Sequence, residues 1–278
     1  MRKYNVGLQL YSVRDDMAKD FEGTLKKVKE IGYDYVEFAG FYGKSPEEIK
    51  GILAKYDLKC VSVHQGMDPY LNEGNAIIDY MADLGVKYVA IPWYEREKLE
   101  YGTSVWDETI SNFKKYGEAL KKAGMEMIYH NHDFEFDKID GMTIFDRLYS
   151  TLEGTLNPQI DTCWVCYAGF DPAEYIRKYA DRLSVLHLKD FNCKELAGGP
   201  AYALIDADGN AGDKPSKADN EFKFRPLGMG RQDFDAIIEA TEETNIHTLI
   251  VEQDESPDMP ALEAVKISRE YLKEKYGI

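Results

Sequence analysis

Short apolar runs alternate with longer amphipathic ones eight times along this chain, and that rhythm constrains its fold more than any other feature. The short runs are 5–11 (NVGLQLY), 34–38 (DYVEF), 58–64 (LKCVSVH), 86–92 (VKYVAIP), 125–130 (MEMIYH), 157–161 (NPQID), 183–189 (LSVLHLK) and 247–252 (HTLIVE). Most are rich in β-branched residues and bounded by Gly, Asp or Pro, as strands buried on both faces tend to be. Between them lie amphipathic segments such as 21–32, 46–56, 105–124 and 232–245, several with Pro or an acid at the start and Gly near the end. Eight βα units in 278 residues predict an α/β fold, a closed (β/α)8 barrel in one domain spanning 1–278. An open doubly wound sheet uses the same alternation. Its dinucleotide-binding form needs G-x-G-x-x-G after the first strand, where this chain has GLQLYS at 7–12. The rhythm breaks at about 190–231, which reads as a long loop after strand seven with a hairpin around 208–213. On a barrel that loop would hang over the catalytic face and serve as a lid.

Fifty acidic against 34 basic residues give a formal charge of −16, which repels phosphate backbones and anionic membrane surfaces. Nucleic acid and membrane partners are therefore not expected. Four cysteines, at 60, 163, 166 and 193, are too few for a disulfide framework in a chain this long and suit a reducing compartment. Cys163 and Cys166 form C-x-x-C, but no second pair stands at zinc spacing, so packing is the simpler use. The first residues, MRKYN, lead into a strand-like run with no apolar stretch long enough for a signal peptide or a membrane span. A soluble, cytoplasmic protein is expected, with homo-oligomerisation left open.

Barrel active sites lie at the C-terminal ends of the strands. There the chain places Gln9, Glu37, His64, Trp93, His130 with His132, Asp161, His187 and Glu252, so four of its five histidines fall on this rim. Residues two apart on a strand share a face, so His130 and His132 can look into one cavity while Asn131 points elsewhere. His130, Asp161, His187 and Glu252 come from four consecutive strands and can converge on one divalent cation. Mixed nitrogen and oxygen donors suit Mn²⁺, the ion placed first here, as well as Zn²⁺, Co²⁺, Fe²⁺ or Mg²⁺. The bland readings are a helix or turn cap for Asp161 and a solvated carboxylate for Glu252. Glu37, His64 and Trp93 would orient hydroxyls or line the pocket. Trp164, with Trp93 and Phe38, would give a sugar ring an apolar wall.

Six stretches carry a family resemblance: 7–15 (GLQLYSVRD), 129–136 (YHNHDFEF), 160–165 (IDTCWV), 186–191 (LHLKDF), 225–234 (RPLGMGRQDF) and 250–255 (IVEQDE). Together they resemble the xylose isomerase-like TIM-barrel group of sugar phosphate isomerases and epimerases, whose relatives include ketose 3-epimerases, hydroxypyruvate isomerases, inosose dehydratases and endonuclease IV. The resemblance implies metal ligands at Asp161, His187 and Glu252. Ketose epimerases carry Glu on strand five, where this chain has His130, as inosose dehydratase-like members do; His132 would then contact substrate or support His130, or the two would exchange roles. Trp164 and Cys193 stand where those epimerases have His and Arg.

The implied chemistry removes a proton α to a carbonyl through an enediolate. Glu252 would act as base and Lys189 or His132 as the second proton carrier. Isomerisation or epimerisation of a keto-sugar stands slightly ahead of dehydration or hydration of a keto-sugar or inosose. An endonuclease IV-like nuclease and a non-catalytic sugar-binding barrel are weaker rivals.

Overall fold

The computed structural model describes residues 4–196 and 220–278. The hairpin expected at 208–213, and most of the lid expected of the long loop, fall on residues outside that range. Eight parallel strands close into a barrel: β1 (Asn5–Gln9), β2 (Tyr35–Ala39), β3 (Lys59–His64), β4 (Tyr88–Ile91), β5 (Glu126–His130), β6 (Asn157–Asp161), β7 (Val185–Leu188) and β8 (Thr248–Val251). Closure comes from β1 pairing with β8, Asn5 opposite Thr248 through Leu8 opposite Val251. Each strand falls inside one of the eight predicted runs, give or take one residue at an end. The amphipathic segments become helices Phe21–Ile31, Pro46–Lys55, Ser104–Lys122 and Phe234–Glu242. Their ends follow local chemistry. Ser45 and Glu48 form a reciprocal capping box ahead of Pro46, and Gly32 closes the first of these helices at φ 109°.

Two apolar regions hold the barrel. The larger fills the space between strands and helices. The smaller comprises Tyr88, Ala90, Ile128, Val185 and Ile250. Strand alternation puts Ile128, Val185 and Ile250 on the same face as His130, His187 and Glu252 and one layer deeper, so the smaller cluster is a floor beneath the polar rim. Gly7 makes room for it, because a Cβ there would lie 2.6 Å from Ile250 Cδ1.

Two departures from regularity matter for the site. The β2–β3 register shifts between Val36 and Glu37, pairing Val36 with Cys60 but Glu37 with Ser62. Such a bulge re-aims side chains, and it brings Ser62 and His64, two apart on one strand, beside Glu37. After β7, Asp190–Asn192 pairs antiparallel with Lys223–Arg225, which returns the chain to the barrel mouth. Phe222 and Phe224 on this return pack with Trp164, Tyr167 and Phe191 in a separate aromatic cluster.

Candidate active site

His130, Asp161, His187 and Glu252 are all buried, and one ligand atom from each lies within 4.8 Å of the others. His130 Nε2 is 3.2 Å from both Asp161 Oδ2 and Glu252 Oε2, and His187 Nδ1 is 3.0 Å from Glu252 Oε2. Donor atoms bound at about 2.1 Å to one ion stand roughly 3.0 Å apart in cis-octahedral and 3.4 Å apart in tetrahedral geometry. The His130–Asp161, His130–Glu252 and His187–Glu252 separations fall in or near that range. Asp161 divides its work: Oδ1 caps the short helix Thr162–Tyr167 by accepting from the Cys163 N–H at 2.8 Å and the Trp164 N–H at 3.2 Å. Its Oδ2 is buried without a hydrogen bond, since its ion contacts with His130 and Lys189 lack the alignment for one. Buried carboxylate oxygens are rarely left so. Lacking a hydrogen bond and balanced only by ion contacts with His130 and Lys189, this oxygen joins two imidazole nitrogens and a second carboxylate in a donor set that fits a divalent cation. The capping role weighed for Asp161 is carried by Oδ1 and leaves Oδ2 to the donor set, while the solvated alternative for Glu252 is overturned by its burial at 4% exposure.

Lys189 reaches the same oxygens. Its Nζ is 3.4 Å from Asp161 Oδ2, 3.2 Å from Glu252 Oε2 and 2.8 Å from Asp254 Oδ1, with the Trp164 and Phe224 rings about it at 5.1 and 5.0 Å. Burial would raise the Glu252 carboxyl, but Lys189 and His187 hold it well below the ordinary range. Burial would likewise discharge His187, yet the flanking Glu37 and Glu252 carboxylates keep it at about 10. His130 is raised by Asp161 and Glu252 against the same desolvation. His132 goes the other way, lowered well below its usual value by burial and by the positive charge of His130 and Lys189. One imidazole of the pair thus sits among carboxylates and the other is kept neutral.

His132 reaches the site by a different route from the one expected. β5 ends at His130, so strand alternation does not place His132. Its backbone N–H donates to Glu135 Oε2 at 2.8 Å, and its ring lies 5.4 Å from His130 and 5.6 Å from Trp164. Asn131 does point elsewhere, accepting from the Asp161 N–H at 3.0 Å and so tying β5 to β6. Glu37 is enclosed at 0% exposure, accepting from Gln9, Ser62, Gln159 and His187 and in ion contact with His64. His64 sits beside it, with Nε2 2.9 Å from Gln159 Oε1. Trp93 is exposed at the rim. Trp164 and Phe38 are fully buried, and the Trp164 ring borders the site beside Lys189 and His132.

Three functional neighbours escaped the sequence reading. Asp254 pairs with Lys189; its only signal was its place in the acidic run EQDE. Glu135 anchors the turn that carries His132. Asp190 is buried and accepts from the N–H groups of Phe191, Gly228, Gly230 and Gln232, organising the chain that returns to the mouth.

Among known proteins, the model of the xylose isomerase-like TIM barrel family matches residues 25–275. An inosose dehydratase from Clostridium perfringens is 24% identical over 295 residues, covering 95% of this chain and 93% of that protein. A second, from Geobacillus kaustophilus, is 24% identical over 189 residues, covering 60% of this chain and 61% of that protein. Among solved structures, a sugar phosphate isomerase/epimerase from Parabacteroides distasonis superposes with a TM-score of 0.73 at 20% identity, covering 98% of this chain and 94% of that one. The IolI protein with a bound zinc atom superposes at 0.69 and 13% identity, covering 97% and 96%. At those identities the superpositions speak for the fold alone. No helix among the described residues is long and apolar enough to cross a membrane. With a closed eight-stranded barrel and a family model matching nearly its whole length, this chain belongs to the xylose isomerase-like TIM barrel family.

Proposed function

We propose that the protein is a divalent-metal-dependent hydro-lyase that dehydrates a keto-cyclitol or keto-sugar. The observation that carries this reading is the pairing of one carboxylate base with one acid, Glu252 with Lys189 at 3.2 Å, while strand five offers His130 instead of a second carboxylate. Reversible proton exchange on two faces of a ketose calls for two bases, whereas elimination of water calls for one base and one acid.

His130, Asp161, His187 and Glu252 would hold the ion, which when bound would polarise a substrate carbonyl and offset negative charge developing on it. Glu252 takes the proton from the carbon next to that carbonyl. With Oε2 engaged by His130, His187 and Lys189, Oε1 is the oxygen that receives it. The electrons left behind form a carbon–carbon double bond as the neighbouring C–O bond breaks, and Lys189 protonates the departing hydroxyl so that it leaves as water. His132 stands close enough to His130 to bind a substrate hydroxyl or share that task. The aromatic cluster of Trp164, Phe222 and Phe224 excludes water from this side and strengthens each charge interaction within it. The acidic balance of the chain and the inosose dehydratase relatives support a small neutral substrate of this kind.

A second reading, isomerisation or epimerisation of a keto-sugar, shares the first proton abstraction and would use the same Glu252 and Lys189 pair. Incubation of Mn²⁺-supplemented protein with keto-inositols and ketohexoses in D₂O separates the two. Loss of water supports the hydro-lyase. Deuterium at carbon with water retained supports the isomerase, and neither outcome with any of these substrates overturns both.

A further inference from the structure

Glu37 is fully buried within the barrel. Its Oε1 accepts from Gln9 Nε2 at 2.7 Å and lies 2.9 Å from His64 Nε2 and 2.7 Å from His187 Nε2. Its Oε2 accepts from Gln159 Nε2 at 2.6 Å and from the Ser62 hydroxyl. These five partners come from β1, β3, β6 and β7, and the β2–β3 bulge is what brings Ser62 and His64 into the group. Fully enclosed and held from every side, this carboxylate cannot reach a substrate in the mouth. It does reach His187, whose other nitrogen, Nδ1, faces Glu252 Oε2.

An ionised carboxylate only accepts hydrogen bonds, so an imidazole bonded to it through Nε2 must carry a proton there. Once Nε2 is fixed as the donor, Nδ1 is the nitrogen that can give up its proton and turn its lone pair to a cation. We propose that Glu37 is a positioning residue that acts through His187, locking the tautomer that presents Nδ1 to a divalent cation shared with His130, Asp161 and Glu252. This rests on the metal-site reading above and replaces the substrate-contacting role expected for Glu37 from sequence.

Glu37→Gln is nearly isosteric and sharpens the test. If the amide oxygen faces His187, the amide nitrogen is turned against the Gln159 amide and the Ser62 hydroxyl. If the amide nitrogen faces His187, it demands a lone pair on Nε2 and drives the proton onto Nδ1, where the cation should bind. Either arrangement weakens the site. The measurements are Zn²⁺ affinity by calorimetry with a competing chelator, and ¹⁵N spectra of histidine-labelled, Zn²⁺-loaded protein, with circular dichroism to confirm that the variant is folded.

The wild type should show Nδ1 of His187 bound to zinc and a hydrogen-bonded proton on Nε2. Folded Glu37→Gln should bind Zn²⁺ roughly 10–100-fold more weakly and lose that pattern. Gln9→Ala, which removes one neighbour but keeps the carboxylate, should retain both the pattern and most of the affinity. If Glu37→Gln keeps wild-type affinity and the Nε2 proton, or if Gln9→Ala costs as much as Glu37→Gln, the positioning role fails while the metal site stands. If the wild type itself binds no Zn²⁺, the metal-site reading fails and this inference goes with it.

Discussion

Glu135 offers a prediction that can be worked through from structure to number. Its carboxyl is fully buried, with Oε1 2.5 Å from the Tyr129 hydroxyl and Oε2 accepting from the His132 N–H at 2.8 Å. Burial raises it from the ordinary 4.5 to about 8, and those two hydrogen bonds offset only part of the rise. A raised acid has a definite sign in stability. Between pH 4.5 and about 8 the unfolded chain gives up this proton while the folded chain keeps it, so the unfolded state binds fewer protons and stability falls as pH rises. Below 4.5 the contribution is fully present, and above about 8 it levels off at its minimum.

Glutamine abolishes the titration and keeps the shape. Its oxygen can accept from the His132 N–H, and its NH₂ can donate to the Tyr129 oxygen. Because every other group titrates alike in both proteins, the stability of Glu135→Gln minus that of wild type isolates Glu135. Linkage gives a change in that difference of roughly 4 kcal/mol between pH 5 and pH 9, in favour of the variant at the alkaline end. Urea unfolding at both pH values, followed by circular dichroism, measures it. A difference that stays constant to within about 0.5 kcal/mol would refute the reasoning, because the carboxyl would then ionise as readily in the fold as out of it.

Other consequences follow from named contacts. Lys189→Met removes the ammonium that lies against Asp161, Glu252 and Asp254; turnover should fall by roughly 10²–10⁴-fold while Mn²⁺ affinity holds or rises, because a competing cation is gone. Simultaneous loss of metal and turnover in this variant would show that Lys189 is structural. Asp190→Asn leaves one acceptor oxygen where a carboxylate served four backbone N–H groups. It should cost roughly 2–4 kcal/mol in urea unfolding and raise amide exchange at Gly228, Gly230 and Gln232. Unchanged exchange at those three amides would remove the organising role assigned to Asp190.

The barrel was legible because its signal is repeated. Eight short strand-like runs, most of them rich in β-branched residues, separated by helix-length amphipathic segments leave few ways to bury both faces of a parallel sheet. His130, Asp161, His187 and Glu252 were legible for a related reason, since strand ends on one rim of a closed barrel must face one mouth. Depth along the barrel axis is not written in the sequence in the same way. Glu37 was expected at the end of strand two, but the strand runs on to Ala39, which leaves Glu37 in its middle, next to the bulge and fully buried. His132 was placed near the site by an alternation that stops two residues short of it, and Glu135, three residues further on, sets its position instead. Asp190 and Asp254 carry no periodic signature. Each is identified only by what folds against it, the returning segment for one and the Lys189 ammonium for the other.

Whether four side chains from β5 to β8 hold one cation is the claim from which the proposed chemistry derives. Chelator-treated protein titrated with Mn²⁺ by calorimetry, alongside folded Asp161→Ala and His187→Ala, tests it most directly. One equivalent of Mn²⁺ should bind to the wild type, and each variant should lose that binding or weaken it by two orders of magnitude or more. Equal stoichiometry and affinity in all three proteins would place the metal elsewhere and leave these four residues as a buried ion-pair cluster.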